Sequence, residues 1–248
     1  MTQNQGKVAL VTGANKGIGF ETVRQLISSG VKTYLTGRDE RRVSQAVASL
    51  DAQGLKAHKL VLDITSDSSV SNAAKLFAQE NECLDILINN AAIRIEEYGK
   101  KPSQQSLDEW QKTFDSNIFG TVRVTKAFLP LLQKSGAGRI VNVSSLLGSI
   151  GTHSNPDSYA YSDMFKSLPA YSASKSAVNS WTAHLAYELR DTPIKVNSVH
   201  PGYTKTDMND GDGELEVAKG ATTSLRMALL EENGPTGTYV HLDQNVPW

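Results

Sequence analysis

Short β-rich runs alternate with longer segments of helical period along the whole chain, and this alternation is the tightest constraint on what it can fold into. KVALVTG at 7–13 is followed by GFETVRQLISSG, VKTYLTG, DERRVSQAVASLDAQG and KAHKLVLD. Then come SSVSNAAKLFAQE, LDILINN, the long SLDEWQKTFDSNIFGTVRVTKAFLPLLQ, GRIVNVSS, a helical stretch opening at LPAYSASKSAVNSW, and IKVNSVHPG. The strand candidates are continuously apolar, as strands covered on both faces are, and the segments between them are long enough for crossover helices. The pattern predicts an α/β fold with a mainly parallel, doubly wound sheet and helices on both faces. No linker or shift of composition divides the 248 residues, so 1–248 is expected to form a single domain. In such a sheet ligands sit beyond the carboxyl ends of the strands.

Composition narrows the function. The formal net charge is −1, which gives no electrostatic reason to expect nucleic acid or an anionic membrane as partner. The one cysteine, Cys83, cannot form an internal disulfide; it stands in QENECLD with no histidine cluster, and no metal site is expected. Without a signal peptide or a bilayer-length apolar run, the expected setting is the cytoplasm.

The first strand ends in TGANKGIG, residues 12–19, directly before a helix. Gly13, Gly17 and Gly19 allow a tight turn and a close approach of the backbone to a phosphate on the helix N-terminus, with Asn15, Lys16 and Ile18 between them. The spacing is G-x3-G-x-G and not the general G-x-G-x-x-G, but its place after a first strand favours a dinucleotide. After the second strand stands LTGRDERR. Gly37 occupies the position where an NAD enzyme usually carries an acid, and Arg38 follows, offering a planar fork to a 2′-phosphate, with Lys16 as a second cation. The cofactor expected is NADP(H). Asp63, ending LVLD, is either an acceptor for the adenine amino group or an ordinary turn or cap aspartate.

Tyr171 and Lys175 lie four residues apart, one helical turn, among small residues that leave room beside them. Alone, such a pair is common on solvated helices. Together with TGANKGIG, NNAA at 89–92, Asn117 in the long helical segment, Ser145, YSASK at 171–175 and PGYTKT at 201–206, it resembles the classical short-chain dehydrogenase/reductase family over nearly the whole chain. TGANKGIG, LTGRD and PGYTKTDM are closest to its carbonyl reductase branch.

The resemblance implies a Rossmann-type fold and four catalytic residues. Tyr171 would be the general acid that protonates a carbonyl oxygen, and Lys175 would lower its pKa and hold the nicotinamide ribose. Ser145 would orient the substrate oxygen, and Asn117 would hold a water that relays protons; a buried, satisfied asparagine is the plain alternative. Asn90 and Ala91 would line the cofactor while Asn89 braces the sheet, and Pro201, Gly202, Thr204 and Thr206 would close over the nicotinamide. His200 is expected to be structural. The activity implied is NADPH-dependent reduction of a small-molecule ketone or aldehyde. The rivals are an NAD-linked secondary-alcohol dehydrogenase and a dinucleotide-binding regulator without turnover. Ser145 and Tyr171 are 26 positions apart, about twice the family's usual separation. An inserted helix is therefore expected over about 150–169, with Asn155 as N-cap and an apolar stripe of Ala160, Tyr161, Met164, Phe165 and Leu168. The stripe is expected to pack on its own subunit and leave the protein a monomer rather than a homodimer or tetramer; an active-site lid or an added dimer contact are the alternatives.

Overall fold

The computed structural model describes residues 4–248. Eight strands form one sheet: β1 (Val8–Val11), β2 (Lys32–Gly37), β3 (His58–Val61), β4 (Ile86–Asn89), β5 (Arg139–Val143), β6 (Lys195–Val199), β7 (Tyr239–His241) and β8 (Gln244–Asn245). Their order is β3-β2-β1-β4-β5-β6-β7-β8. The first seven are parallel, and only β8 returns antiparallel along β7. The helices are α1 (Gly17–Ser28), α2 (Glu40–Asp51), α3 (Asp67–Glu80), α4 (Leu107–Phe114), α5 (Thr121–Lys134), α6 (Asp163–Lys166), α7 (Pro169–Glu188), α8 (Val217–Gly220) and α9 (Thr222–Ala228).

Alternate residues of each strand enter different cores, which is why the runs read as uniformly apolar. Leu10, Leu87, Ile140 and Val196 join Phe77, Phe128 and Leu185 beneath α3, α5 and α7. Ala9, Val11, Ile88 and Val141 join Val23, Leu26, Val43 and Met227 beneath α1, α2 and α9. The doubly wound, Rossmann-type α/β fold is thus the observed one. The strand order reverses between β1 and β4, and the crevice beyond that point lies among the ends of β1, β2, β4, β5 and β6.

Two departures from the sequence reading bear on the site. The long helical segment is not continuous: a π-helical turn over Asp115–Gly120 separates α4 from α5 and carries Asn117. Such turns often mark functional sites because they redirect side chains and loosen the backbone ladder.

The inserted segment is not one helix either. It folds as 3₁₀ turns at Ile150–Ser154 and Tyr159–Tyr161 followed by the four-residue α6. The cause is local polar competition. Asn155 uses its side-chain oxygen on the Asp157 N–H 3.0 Å away, while Ser158 and Ser162 accept from Ala160 and Phe165 and so restart the backbone twice. Ala160, Phe165 and Leu168 are buried with Leu147 and Tyr171, and Met164 packs on them beside Tyr159, Tyr203 and Met208; Tyr161 stays 51% exposed. Phe165 and Leu168 of the stripe thereby line the crevice.

One glycine fixes how closely the turn after β5 approaches α7. A Cβ on Gly148 would lie 2.8 Å from the Lys175 carbonyl carbon and 2.9 Å from its Cβ. The segment following Ser145 is seated directly on the helix that carries Tyr171 and Lys175.

Candidate active site

The glycine loop is built for close approach. Gly13 has φ +60°, and a Cβ there would strike Ala91 at 2.8 Å; a Cβ on Gly19 would meet the Asn90 amide nitrogen at 2.4 Å. Asn90 donates its side chain to the carbonyls of Thr12 and Gly13, at 2.9 and 3.2 Å. The Thr12 hydroxyl accepts from the backbone N–H groups of both Asn90 and Ala91 at 3.0 Å. Asn90, expected beside the cofactor, is thus a clasp between the ends of β1 and β4. Thr12, whose part no local pattern reveals, is the other half of that clasp. Asn89 spans β4, β5 and α5 through Asn142 and Thr125.

The N-terminus of α1 is open. Asp39, Ser66 and Ser106 close the first turns of α2, α3 and α4 with their own side chains, whereas Lys16 at the N-cap of α1 makes no such bond. The first amides of a helix lack intrahelical partners and sit at the positive end of its dipole, so this end fits a pyrophosphate. The ribose end fits as well. The Asn15 side chain lies against Gly37, where an added Cβ would be 3.1 Å from its oxygen. Arg38 is exposed. The neighbouring acids are committed elsewhere: Asp39 caps α2, and Glu40 pairs with Lys59 at 3.0 Å.

Two expected ligands are already engaged. The Lys16 ammonium pairs with Asp207 at 2.8 Å, though 59% of the side chain remains exposed. Asp63 accepts from the Thr65 N–H and hydroxyl at 3.0 and 2.7 Å, which is the turn-aspartate alternative.

At the other end of the crevice Ile18, Ser145, Tyr171, Pro201, Gly202, Thr204 and Thr206 line one cleft together with Arg94, Tyr98, Tyr159, Phe165, His200 and Tyr203. Tyr171 is buried, and desolvation pushes its phenol up to about 12, with the Ser145 hydroxyl and then Arg94 pulling the other way. Lys175 sits 5.7 Å from the Tyr171 ring centroid and donates to the Val143 carbonyl at 2.8 Å. Its ammonium is thus held on a backbone carbonyl beside the ring. The Asn117 side chain is fully used: it accepts from the Ile93 N–H at 2.8 Å and donates to the Ile93 carbonyl and the Ser174 hydroxyl at 2.9 and 3.0 Å. Ser174 in turn donates to the Tyr171 carbonyl at 2.7 Å. The amide braces α7.

His200 ties three segments together. Its Nδ1 accepts from the N–H groups of Leu146 at 3.1 Å and Gly202 at 3.4 Å, which places the ring proton on Nε2, 3.2 Å from the Tyr159 hydroxyl. Burial and the adjacent His241 push its pKa down to about 3, so it is neutral and structural. Thr204 is buried with its hydroxyl turned to the Pro201 and Gly202 carbonyls, and Thr206 holds Asn209. Of the two threonines, only Thr206 stands beside the glycine loop, 3.8 Å from where a Gly17 Cβ would be. A larger groove of about 740 Å³ between α3 and α5 is mainly apolar, and its Arg123 is tied to Asp67, Asp115 and the Ile64 carbonyl. It assembles no acid–base pair.

Lys175 is 3% exposed and burial pushes its pKa down to about 8. A lysine whose folded pKa lies below its unfolded value destabilises the fold in full below the folded pKa, and the penalty fades as pH rises to the unfolded one. The shift corresponds to something on the order of 3 kcal/mol, offset by about 1 kcal/mol for the bond to Val143. Lys175→Met is expected to raise the melting temperature at pH 7 by about 4–8 °C. The advantage should shrink between pH 8 and 10, as followed by circular dichroism.

The family model for short chain dehydrogenases matches residues 7–216. Cyclopentanol dehydrogenase of Comamonas testosteroni is 37% identical over 90% of this chain and 82% of its own. The (+)-neomenthol dehydrogenase of Arabidopsis thaliana is 32% identical over 96% and 97%. Among solved structures, the NADPH-bound carbonyl reductase from chicken fatty liver superposes with a TM-score of 0.85 at 26% identity, covering 100% of this chain and 96% of that one. A family model that matches most of the chain, with relatives above 30% identity along nearly its whole length, shows that the chain belongs to the short-chain dehydrogenases.

Proposed function

We propose that the protein is an NADPH-dependent carbonyl reductase that converts a ketone or aldehyde to an alcohol, with Tyr171 as the general acid. The observation that carries this reading is the single cleft lined by Tyr171, Ser145 and Ile18 of the uncapped N-terminus of α1, with Lys175 buried behind the Tyr171 ring. NADPH, when bound, supplies the hydride. The cofactor contacts assigned are the glycine loop Gly13–Gly19, Arg38, Ala91, Lys175 and the segment Pro201–Thr206, with Lys16 available once it leaves Asp207.

The residues divide the remaining work. The Ser145 hydroxyl and the Tyr171 phenol address the same substrate oxygen, one orienting it and the other giving up a proton. A phenol held near 12 exchanges protons poorly at neutral pH. Lowering it requires positive charge, from Arg94 across the cleft and from the Lys175 ammonium when it turns from Val143 toward the phenol. Asn117, through Ser174, keeps that turn of α7 in place. The aromatic walls Tyr98, Tyr159, Phe165 and Tyr203 suit a flat or cyclic apolar ketone, and the named relatives act on cyclopentanol and neomenthol. Those names also support the reverse reading, oxidation of a ring alcohol on the same residues. The cytoplasm, where NADP is kept reduced, suits the reductive direction.

Tyr171→Phe removes only the acidic hydroxyl. It is expected to abolish NADPH oxidation across a panel of ketones, aldehydes, quinones and sugars while NADPH still quenches protein fluorescence with nearly unchanged affinity. Substantial turnover by the folded variant would remove Tyr171 from the mechanism. Arg38→Ala deletes a charge-assisted contact worth about 1.5–3 kcal/mol, so NADPH should bind about tenfold more weakly or worse while NADH binding is spared. Equal losses for both cofactors would refute the phosphate role.

Oligomeric state is a separate proposal. The apolar stripe of residues 150–169 is spent on its own subunit, and the chain is expected to be monomeric in light scattering at micromolar concentration. A stable dimer or tetramer formed through the exposed Phe119 and Tyr187 would overturn it.

A further inference from the structure

Helix α7 begins badly by local rules. Its N-cap is Leu168, which offers no side-chain acceptor, and Pro169 follows at the first helical position. The N–H groups of Ala170 and Tyr171 therefore have no partner within the helix or its cap. Both are taken by one distant carboxylate. Glu96 Oε1 accepts from Ala170 at 2.6 Å and Oε2 from Tyr171 at 2.8 Å, across separations of 74 and 75 residues. Glu96 is 2% exposed. A charge so buried is costly unless hydrogen-bonded, and these two amides at the positive end of α7 are its hydrogen-bond partners.

We propose that Glu96 is a positioning residue for the catalytic tyrosine: it caps the catalytic helix from another segment and grips the backbone of Tyr171 itself. The proposal rests on Tyr171 being the acid. The bidentate grip fixes where the first turn of α7 begins, and with it the reach of the phenol toward Ser145. The segment that carries Glu96 is fastened in turn. Arg94 donates to the Glu96 carbonyl and the Met208 carbonyl, each at 3.0 Å, and its guanidinium lies 4.3 Å from the Tyr98 ring centroid.

The charges facing Tyr171 come from several elements. Arg94, Glu96 and Tyr98 stand on the 94–98 segment, Lys175 on α7, the Ser145 hydroxyl on the turn after β5 and Tyr159 on the inserted segment. A carboxylate there disfavours tyrosinate. Its removal should lower the phenol's pKa, and a reduction that needs the protonated phenol should then begin to fail at lower pH.

Glu96→Gln keeps the shape but leaves one acceptor and turns an amide donor toward the second N–H; Glu96→Asp keeps the carboxylate on a shorter stem. Hydrogen exchange of the peptide covering residues 168–175 reads the cap without substrate, NADPH fluorescence quenching reads cofactor affinity, and cyclopentanone, menthone and 9,10-phenanthrenequinone serve as reducible probes. In Glu96→Gln that peptide is expected to exchange faster while the peptide covering 12–19 is unchanged. Its kcat should fall about tenfold or more, the size expected when a reacting group is misplaced by less than an ångström, with NADPH affinity nearly unchanged. The alkaline fall of kcat should move to lower pH, and Glu96→Asp should recover part of the rate. Unaltered exchange, or faster exchange with unaltered kcat and pH profile, overturns the positioning role. So does an equal loss of kcat, NADPH affinity and melting temperature that Glu96→Asp does not relieve. Active Tyr171→Phe, or a wild type that reduces none of the probes, would instead bring down the underlying reading, and this proposal with it.

Discussion

A parallel sheet covered on both faces can expose chemistry only where its strands end, and every functional group in this molecule is subject to that constraint. Register decides which ends are neighbours. Val143 is paired with Val199, so Ser145 and His200 follow at adjacent strand ends, and the order reversal between β1 and β4 sets the glycine loop beside Asn90 and Ala91. The ends would splay as independent loops without cross-links, because no ladder bonds continue beyond them. Small polar side chains supply those links. The Thr12 hydroxyl joins β1 to β4; Asn142, bonded to Asn89, continues to Thr182 and on to Ser198 on β6; and His200 joins β6 to the turn after Ser145 and to the inserted segment. The Asn89–Asn142–Thr182–Ser198 links are buried, where an unmade bond costs more than a made one gains, so this polar layer specifies one arrangement more than it adds stability.

The groups proposed to react, Tyr171 and Lys175, run against the fold's own preference. Burial disfavours both the Tyr171 phenolate and the Lys175 ammonium, leaving their pKa values about 12 and 8, and Lys175 has one carbonyl to satisfy it. The surroundings hold the pair in place rigidly. Gly148 lets the turn after Ser145 rest on Lys175, and Asn117 reaches Tyr171 through Ser174. Perturbed groups in a cleft, braced from three elements, are the arrangement expected where charge must move during a reaction.

What could be read from the sequence was whatever has a period or a local geometry. The strand and helix alternation, the glycine loop ahead of α1 and the one-turn spacing of Tyr171 and Lys175 are patterns over a few residues. What escaped depends on residues far apart in the chain. Asn90 reads as a ligand because nothing local shows Thr12 beneath it, and Lys16 reads as a free cation because Asp207 is 191 positions away. The inserted helix failed for a different reason. Its apolar spacing holds for Ala160, Phe165 and Leu168, which are buried, but not for the exposed Tyr161, and Ser158 and Ser162 sit at positions where they cap new turns. Polar punctuation overrode hydrophobic period, and the same serines were visible throughout.

The two helices that matter most begin in opposite ways, and the contrast separates binding from positioning. Helix α1 has no capping side chain and keeps its positive end open among glycines, a form that is useful only if an anion completes it. Helix α7 also lacks a local cap, but its first amides are closed by the buried Glu96 carboxylate, so no ligand can use them. On the proposed function, an open terminus must be able to lose and regain its partner with every cofactor exchanged, while a terminus bearing the proposed acid gains from never doing so. The chain meets the first need with sequence-local glycines and the second with a carboxylate from across the cleft. For that reason the open end of α1 is legible in a single glycine motif, whereas the cap of α7 becomes complete only in three dimensions.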